Sequence, residues 1–524
     1  MAEKGKSTVK TVSFMMVITL VGKILGLVRE QLLAANYGEG PQAVAFQAAS
    51  QIPRTFFDAV FASAISASFI PIFNEYLERE GKEAAFRLSN QFITSIGIVT
   101  CILTALGMLF PEPLVWISAN GFDPAIGSLC ASLLRIMFPA VFFTGIAFSF
   151  VGILQSLDEF GIPAVMSVAS NVVIIIYYIF LNERFGIYGL AIAFMIGWAM
   201  QAVIQVPALR KKGYRYKPCL DLKDEGMKKI GALMLPVMVS TWIQPINVVI
   251  NTRFASHIFE KSAGVAIIGY ANTLYSIVVG VFVLSIANVI FPRLSRLTAN
   301  HEDKAVGETL SKTLRTMAFL LVPMMVGLMT LSRPIVRLMY ERGEFGSFST
   351  EMTARALFFF SLGMLGFGVQ AILSRAYYAA QDGKTPFYSG LVSILVNIVL
   401  CSLLVEKMDV GGLALASALS STVSALFLLV PMQRKNKGLI SKGFLIDIVK
   451  MVMTAGIMAV VVVLLRNGLL HFLTDGLITR VFVVCVPAGV GVLIYMGLTY
   501  ALQLEESLEV FSFAKKMTYK ILKK

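Results

Sequence analysis

The sequence predicts an all-α integral membrane protein of about 14 transmembrane helices, arranged as two repeated six-helix lobes followed by two C-terminal helices. Three observations carry that prediction. Hydrophobic residues make up 57% of the 524, and charged residues only 15%, so lipid must serve as solvent for much of the chain. Apolar runs of ~20 residues, the length that crosses a hydrocarbon core, recur from one end to the other. The chain also contains itself twice. "FIP" ending at Pro71 returns as "IFP" ending at Pro292, and Pro113-Leu114-Val115 returns as Pro334-Ile335-Val336, both at an offset of 221. Pro163 corresponds to Pro386 and "GLAIA" from Gly189 to "GLALA" from Gly412, both at 223. Pro207-x-x-Arg210 becomes Pro431-x-x-Arg434, at 224. Landmarks in one order at nearly one offset indicate a duplicated bundle, the signature of a transporter whose site lies between its repeats. An even number of spans per repeat preserves orientation, so the two lobes should be related by an axis along the membrane normal.

Taken in order, the first lobe occupies residues 1–212, with spans at about 9–35, 43–74, 85–110, 126–154, 162–181 and 187–208. A cytoplasmic linker follows at 213–227. The second lobe, 228–435, holds spans at about 228–257, 264–291, 308–331, 352–378, 386–405 and 411–432. Two extra spans, 444–466 and 479–502, lie within 443–503, have no repeat counterpart and carry few internal charges. They are expected to pack outside the lobes. A basic cytoplasmic tail closes the chain at 504–524.

Orientation follows from the basic residues. Lys4, Lys6 and Lys10, the group from Arg210 to Lys217, then Arg434, Lys435, Lys437 and Lys442, and the tail lysines from Lys515 to Lys524 all fall at the ends or in even-numbered connections. Residues 36–42 and 111–125 contain no Lys or Arg. Both termini are therefore expected in the cytoplasm. The net charge of +14 then reflects loops beside anionic headgroups rather than a nucleic-acid surface, for which no soluble domain is long enough.

Several classes drop out. The basic-then-apolar start resembles a signal peptide, but Lys23 and Arg29 interrupt it and no small-x-small cleavage site follows, so it reads as an uncleaved first helix. The five cysteines are scattered without a C-x-x-C, which argues against disulfide or metal frameworks. His257, His301 and His471 lie far apart and in no catalytic motif. No P-loop or dinucleotide fingerprint is present. The expectation is a transporter, not an enzyme, with no catalytic residue, metal or resident cofactor. Any energy source is then the membrane potential, an ion gradient or another subunit.

The informative chemistry is charge inside the spans, where an ionised group costs roughly 2.5–3.5 kcal/mol at the bilayer centre unless it meets a partner or water. The first span carries Lys23, Arg29 and Glu30 in "GKILGLVREQLLAANYG". Lys23 lies roughly 21 Å along the helix at 1.5 Å per residue, too deep for easy snorkelling. Gly22 and Gly26 form a small-xxx-small step for close approach to a neighbour. The second span carries Arg54 and Asp58, an i,i+4 pair that equally well neutralises itself. Arg135 in the fourth is placed to snorkel outward, and Arg253 in the seventh lies in "INTRFAS". An excess of cations over carboxylates suggests an anionic substrate, with guanidinium forks suited to phosphate. The candidate binding residues are Lys23, Arg29, Arg54 and Arg253, with Glu30 and Asp58 as charge partners.

"GKILGLVRE", "FIPIFNEY", "IFPRLS" and especially "RAYYAAQDGKTP" at 375–386 resemble the MurJ/MviN lipid II flippases of the multidrug/oligosaccharidyl-lipid/polysaccharide exporter superfamily. The resemblance spans essentially the whole chain. It implies a V-shaped pair of six-helix lobes about a central cavity, with the extra helices forming a lipid-holding groove. It also implies alternating access that moves undecaprenyl-pyrophosphate-linked peptidoglycan precursor from the inner to the outer leaflet. A bacterial cytoplasmic-membrane location, a monomer, a lipid-linked glycan substrate, surrounding membrane lipids and cell-wall synthesis proteins as partners accompany that expectation.

The match departs from the family at charged positions. Arg29 matches the arginine of G-x-x-R-[DE], and Lys23 stands where a basic residue is expected. In "GYANTLYS", neutral Asn272 and Thr273 occupy the place of an acidic-basic pair. Phe57 replaces a basic residue of the second helix, and Arg54 follows Pro53 instead. Another lipid-linked cell-wall or sporulation polysaccharide, or a drug exported by the same superfamily, stays open as substrate. A membrane enzyme acting on the same lipid would need clustered acids or histidines, which are not found.

Overall fold

The computed structural model describes residues 2–54, 59–221, 223–436 and 438–512. Among these there is no strand. The chain forms two compact units, Met1–Ala266 and Ile267–Lys524. Contact defines these units, whereas the repeat is defined by sequence offset, so the two partitions need not coincide.

The first unit opens with α1 (Ala2–Tyr37), followed by α2 (Pro41–Pro53), α3 (Ala59–Ala64), a π-turn (Ile65–Phe69) and α4 (Ile70–Arg79). Pro41 sits in the first turn of α2 and Pro71 in that of α4, where a missing N–H costs no hydrogen bond. From residue 59 onward the span expected at 43–74 is thus a succession of short pieces. Its π-turn buries Ile65, Ser68 and Phe69, and Phe69 stacks on Phe92 at 4.5 Å between ring centroids. α5 (Lys82–Leu109), α6 (Pro111–Ser118), α7 (Pro124–Met137) and α8 (Ala140–Ser156) follow, with Pro139 separating α7 from α8. α9 (Gly161–Phe180) and α10 (Asn182–Val203) pack side by side, with Gly197 placed so that an added Cβ would lie 3.0 Å from the Ser170 carbonyl oxygen. After α11 (Val206–Lys211), α12 (Glu225–Thr241) packs on α3 and the π-turn, and α13 (Ile243–Ala255) packs on α6.

α14 (Gly264–Ala299) leads into the second unit, which continues with α15 (Asp303–Tyr340), α16 (Ser347–Leu362) and α17 (Met364–Ala379), the last two bent by 44°. α18 (Lys384–Lys435) is a run of 52 residues, far longer than a bilayer needs. It is divided at Asp409, where φ is 51° and ψ −130°. Ser389 Oγ donates to the Ser424 carbonyl at 3.0 Å, so the two arms lie antiparallel. α19 (Lys442–Phe472) and α20 (Leu477–Ala501) form a hairpin that packs on α15. Phe319 and Val322 of α15 meet Met451, Ala455 and Met458 of α19, and Tyr495 of α20 donates to the Phe319 carbonyl at 3.1 Å. Outward residues such as Val452, Leu464 and Leu493 are exposed, as lipid-facing side chains should be.

Nine helices among the described residues are long and apolar enough to cross a bilayer, ten when the bent α16–α17 pair counts as one span. The expected fourteen exceeds that number. α18 holds two predicted spans in one run, and the span at 228–257 is divided between α12 and α13. The span at 43–74 includes residues 55–58, which lie outside the described residues, and α1 is not among the nine. Left-handed backbone positions recur at the repeat offset: Gly38 with Phe259 (259 − 38 = 221), Asp158 with Gln381 (381 − 158 = 223), and Gly186 with Asp409 (409 − 186 = 223). The tail beyond residue 512, Lys437, and the positions of Phe57 and Asp58 lie outside the described residues.

Candidate functional site

The small-residue face of α1 determines where its charges go. Gly22 packs so closely on α9 that an added Cβ would lie 2.5 Å from Ser167 Oγ, and one on Gly26 would lie 3.8 Å from Asn171 Nδ2. Arg29 is seven residues beyond Gly22, two helical turns, and therefore on the same face. Its Nη1 donates to Asn171 Oδ1 at 3.1 Å, and Asn171 Nδ2 donates back to the Gly22 carbonyl at 3.3 Å. Arg29 Nη2 also pairs with Glu30 at 2.7 Å, both side chains being mostly buried. At the end of α1, Tyr37 donates to Asn182 Oδ1 at 2.6 Å, and Asn182 Nδ2 donates to Asn36 Oδ1 at 3.0 Å. One helix thus carries a guanidinium held by a neutral amide and a carboxylate, in a fixed register against α9.

Lys23 lies about 100° around α1 from the glycine face. Its side chain is exposed, with no hydrogen-bond or ion-pair partner among the described residues. Arg54, the residue that closes α2, is also exposed. Its expected partner Asp58 falls outside the described residues.

Arg253 has a different neighbourhood. Nη1 donates to the Ile117 carbonyl at 3.1 Å, and the guanidinium carbon stands 5.3 Å from the Trp116 ring centroid. The same end of α13 is pinned to the turn after α6, since Gly121 N donates to Ser256 Oγ at 3.0 Å. Thr252 donates to Gln51 Oε1 of α2 at 2.5 Å. Arg253 is therefore engaged by α6 while Arg29 is engaged by α9. Arg135 donates to the Met108 carbonyl at 2.9 Å and pairs with Glu112 at 3.3 Å on an exposed surface.

Sequence reasoning missed Asn171 because a neutral residue in an apolar run gives no charge signal; only its position opposite Gly22 and Arg29 reveals it. The "RAYYAAQDGKTP" segment proves to be a helix junction. Gln381 adopts a φ of 59°, and Asp382 accepts from the amides of Lys384 and Thr385, both at 3.0 Å, and from Thr385 Oγ1 at 2.6 Å. Burial alone would raise the Asp382 pKa, but the hydrogen bonds from Thr385 and Lys384 hold it below the usual carboxylate range. Among the described residues no group of His, Cys, Asp or Glu is placed to hold a metal ion.

A family model described as "Lipid II flippase MurJ" matches residues 33–482. The chain belongs to the MurJ lipid II flippase family. A probable lipid II flippase MurJ of Vibrio cholerae is 28% identical over 506 residues, covering 94% of this chain and 96% of the relative. One of Buchnera aphidicola subsp. Acyrthosiphon pisum is 30% identical, covering 78% and 81%. A solved structure of lipid II flippase MurJ in an inward closed conformation superposes with a TM-score of 0.78 at 25% identity, over 93% of this chain and 98% of that one. An inward-facing multidrug resistance MATE transporter of the MOP superfamily follows at 0.69 and 15% identity, over 81% and 98%, a likeness of fold alone. MurJ membership makes the chain a multi-pass protein of the bacterial membrane and a transporter rather than an enzyme, with a lipid-linked substrate.

Proposed function

We propose that the chain flips lipid II, the undecaprenyl-pyrophosphate-linked peptidoglycan precursor, from the inner to the outer leaflet by alternating access. The match of the MurJ family model across residues 33–482 carries this reading. Its physical task follows from the substrate. A headgroup of sugars and phosphates loses its hydration in hydrocarbon without compensation, so the protein must supply a polar path while the prenyl tail stays in lipid.

α1 suits the phosphate end of that task. Lys23 presents an exposed ammonium, and Arg29 offers a guanidinium fork whose position is set by Asn171. Glu30 offsets part of the Arg29 charge and keeps the site from binding anions too tightly to release them, a requirement of any transport path. Arg54 and Arg253 extend the set of cations along α2 and α13. The hairpin of α19 and α20, apolar on its outward face, is suited to hold the tail. Both termini face the cytoplasm on the distribution of basic residues, and the membrane potential or an ion gradient drives the cycle.

The test is expression in a bacterium depleted of its own lipid II flippase. Restored growth and cell shape are expected. Failure to restore growth at normal membrane abundance, together with efflux of cationic drugs, would favour a multidrug exporter instead.

A further inference from the structure

In the second unit, the ends of α15, α19 and α20 remote from the chain terminus, together with the start of α16, line an open cavity of about 400 Å³. Its charged lining comprises Arg333, Arg337, Arg466, Arg480, Glu341 and Asp475. Two of the four arginines are matched by the two acids. Arg337 pairs with Glu341 at 2.9 Å and Asp475 at 2.8 Å, and Arg480 pairs with Asp475 at 3.2 Å and Glu341 at 3.4 Å. Among the described residues Arg333 pairs with Glu351, at 3.1 Å, and both of those side chains are largely exposed.

Arg466 is different in kind. Nη1 donates to the Thr330 carbonyl at 2.7 Å, while Nε and Nη2 donate to Asn467 Oδ1 at 3.1 and 3.0 Å. It has no carboxylate partner among the described residues, and two of its five N–H groups remain available to an anion. A guanidinium on a membrane-spanning helix with only neutral partners is an expensive arrangement unless an anion completes it.

Depth and surroundings say which anion. Arg466 lies six residues before the end of α19, about 9 Å at 1.5 Å per residue, a level suited to lipid headgroups. Leu470 and Val483 share the lining with the arginines. Phe472, Leu477 and Ile478 stand at the same helix ends with 84%, 68% and 75% of their surface exposed. A free ion has no use for that apolar rim, whereas an amphiphile does. We propose that this cavity binds the phosphate headgroup of an anionic membrane phospholipid, whose acyl chains lie along the exposed ends of α19 and α20. The site is separate from the α1 cations and does not depend on the transport reading.

The test is native mass spectrometry of the full-length protein in detergent, titrated with phosphatidylglycerol. Arg466→Gln should weaken binding of the first phosphatidylglycerol about tenfold or more, the equivalent of losing one charge-assisted hydrogen bond, and Arg466→Lys should lose less. Arg333→Gln should also weaken it, which keeps the test alive if the Arg466→Gln protein does not fold. Diacylglycerol, which has the tails without the phosphate, should not bind at this site. Arg29→Ala should leave the first phosphatidylglycerol bound as in wild type, so failure here is distinguishable from failure of the transport site. Unchanged binding in both the Arg466 and Arg333 variants would overturn the proposal. Complete displacement by millimolar inorganic phosphate would overturn the lipid assignment in favour of the free ion.

Discussion

A guanidinium inside a membrane helix needs a carboxylate, a neutral acceptor or water to offset its desolvation, and Arg29 has the first two in Glu30 and Asn171. Arg29→Ala is therefore expected to spare folding but lower transport about tenfold or more, in line with a charged hydrogen bond of ~1.5–3 kcal/mol. Arg29→Lys should recover only part, because the two-donor fork is lost. Asn171→Ala should reduce transport less than Arg29→Ala does, since it frees the guanidinium without removing it. Lys23→Ala should behave like Arg29→Ala, whereas Arg135→Ala, which removes an exposed pair with Glu112, should do little. Complementation at matched membrane abundance decides among these, and normal transport by both Lys23→Ala and Arg29→Ala would end the cationic-site account. The charges of α1 were legible because ionised residues stand out in an apolar run. Asn171 was not, and neither was the engagement of Arg253 by Ile117 and Trp116, more than a hundred positions away in the chain.

Helices in this chain approach each other through glycines, and the repeat motif itself is such an approach. An added Cβ on Gly412 of "GLALA" would lie 2.3 Å from the Leu404 carbonyl oxygen, and one on Gly189 of "GLAIA" would lie 2.3 Å from the Tyr177 hydroxyl. Backbone yields less readily than a side chain, so Gly412→Val should destabilise the α18 hairpin by about 1–3 kcal/mol or more. Its melting temperature in detergent should fall, while Gly456→Ala, at a position with nothing within 4 Å, should leave it unchanged. Equal melting temperatures for the two variants would contradict the packing account. Asp382→Ala should cost about 1 kcal/mol, the usual worth of a helix cap. Because folding lowers the Asp382 pKa, that contribution is present above the ordinary carboxylate range and is lost as the pH falls through the lowered value. The difference between wild type and Asp382→Ala should shrink accordingly in acid. Pro163, Pro386 and the paired glycines made the helix order readable from sequence. The π-turn between α3 and α4 was not, since it carries no residue signature, whereas the division of α18 at Asp409 falls in the connection expected between the spans 386–405 and 411–432.

For the whole molecule, the duplication read from scattered Pro and Gly landmarks has a backbone counterpart in the left-handed positions at Gly186 and Asp409. The α19–α20 hairpin has no such counterpart, and its attachment to α15 is anchored by Arg315, which pairs with Asp447 at 3.2 Å and Glu506 at 2.9 Å as well as with Glu505. Deleting residues 443–524 should leave the earlier spans inserted and impair flipping. Full transport by that truncated protein would remove the tail-holding role from α19 and α20. Composition and hydropathy made the membrane fold legible, but they are silent on substrate, because phosphate recognition rests on a handful of side chains among 524 residues. Carriage of lipid II between leaflets by this chain is read out by the accessibility of lipid II to a reagent confined to the outer face. In cells that depend on this protein, its depletion should cause lipid II to disappear from the outer leaflet and accumulate within. Wild-type protein should restore the outer pool, and the Lys23→Ala/Arg29→Ala double variant should not. An outer-leaflet pool that persists undiminished after depletion would contradict the account.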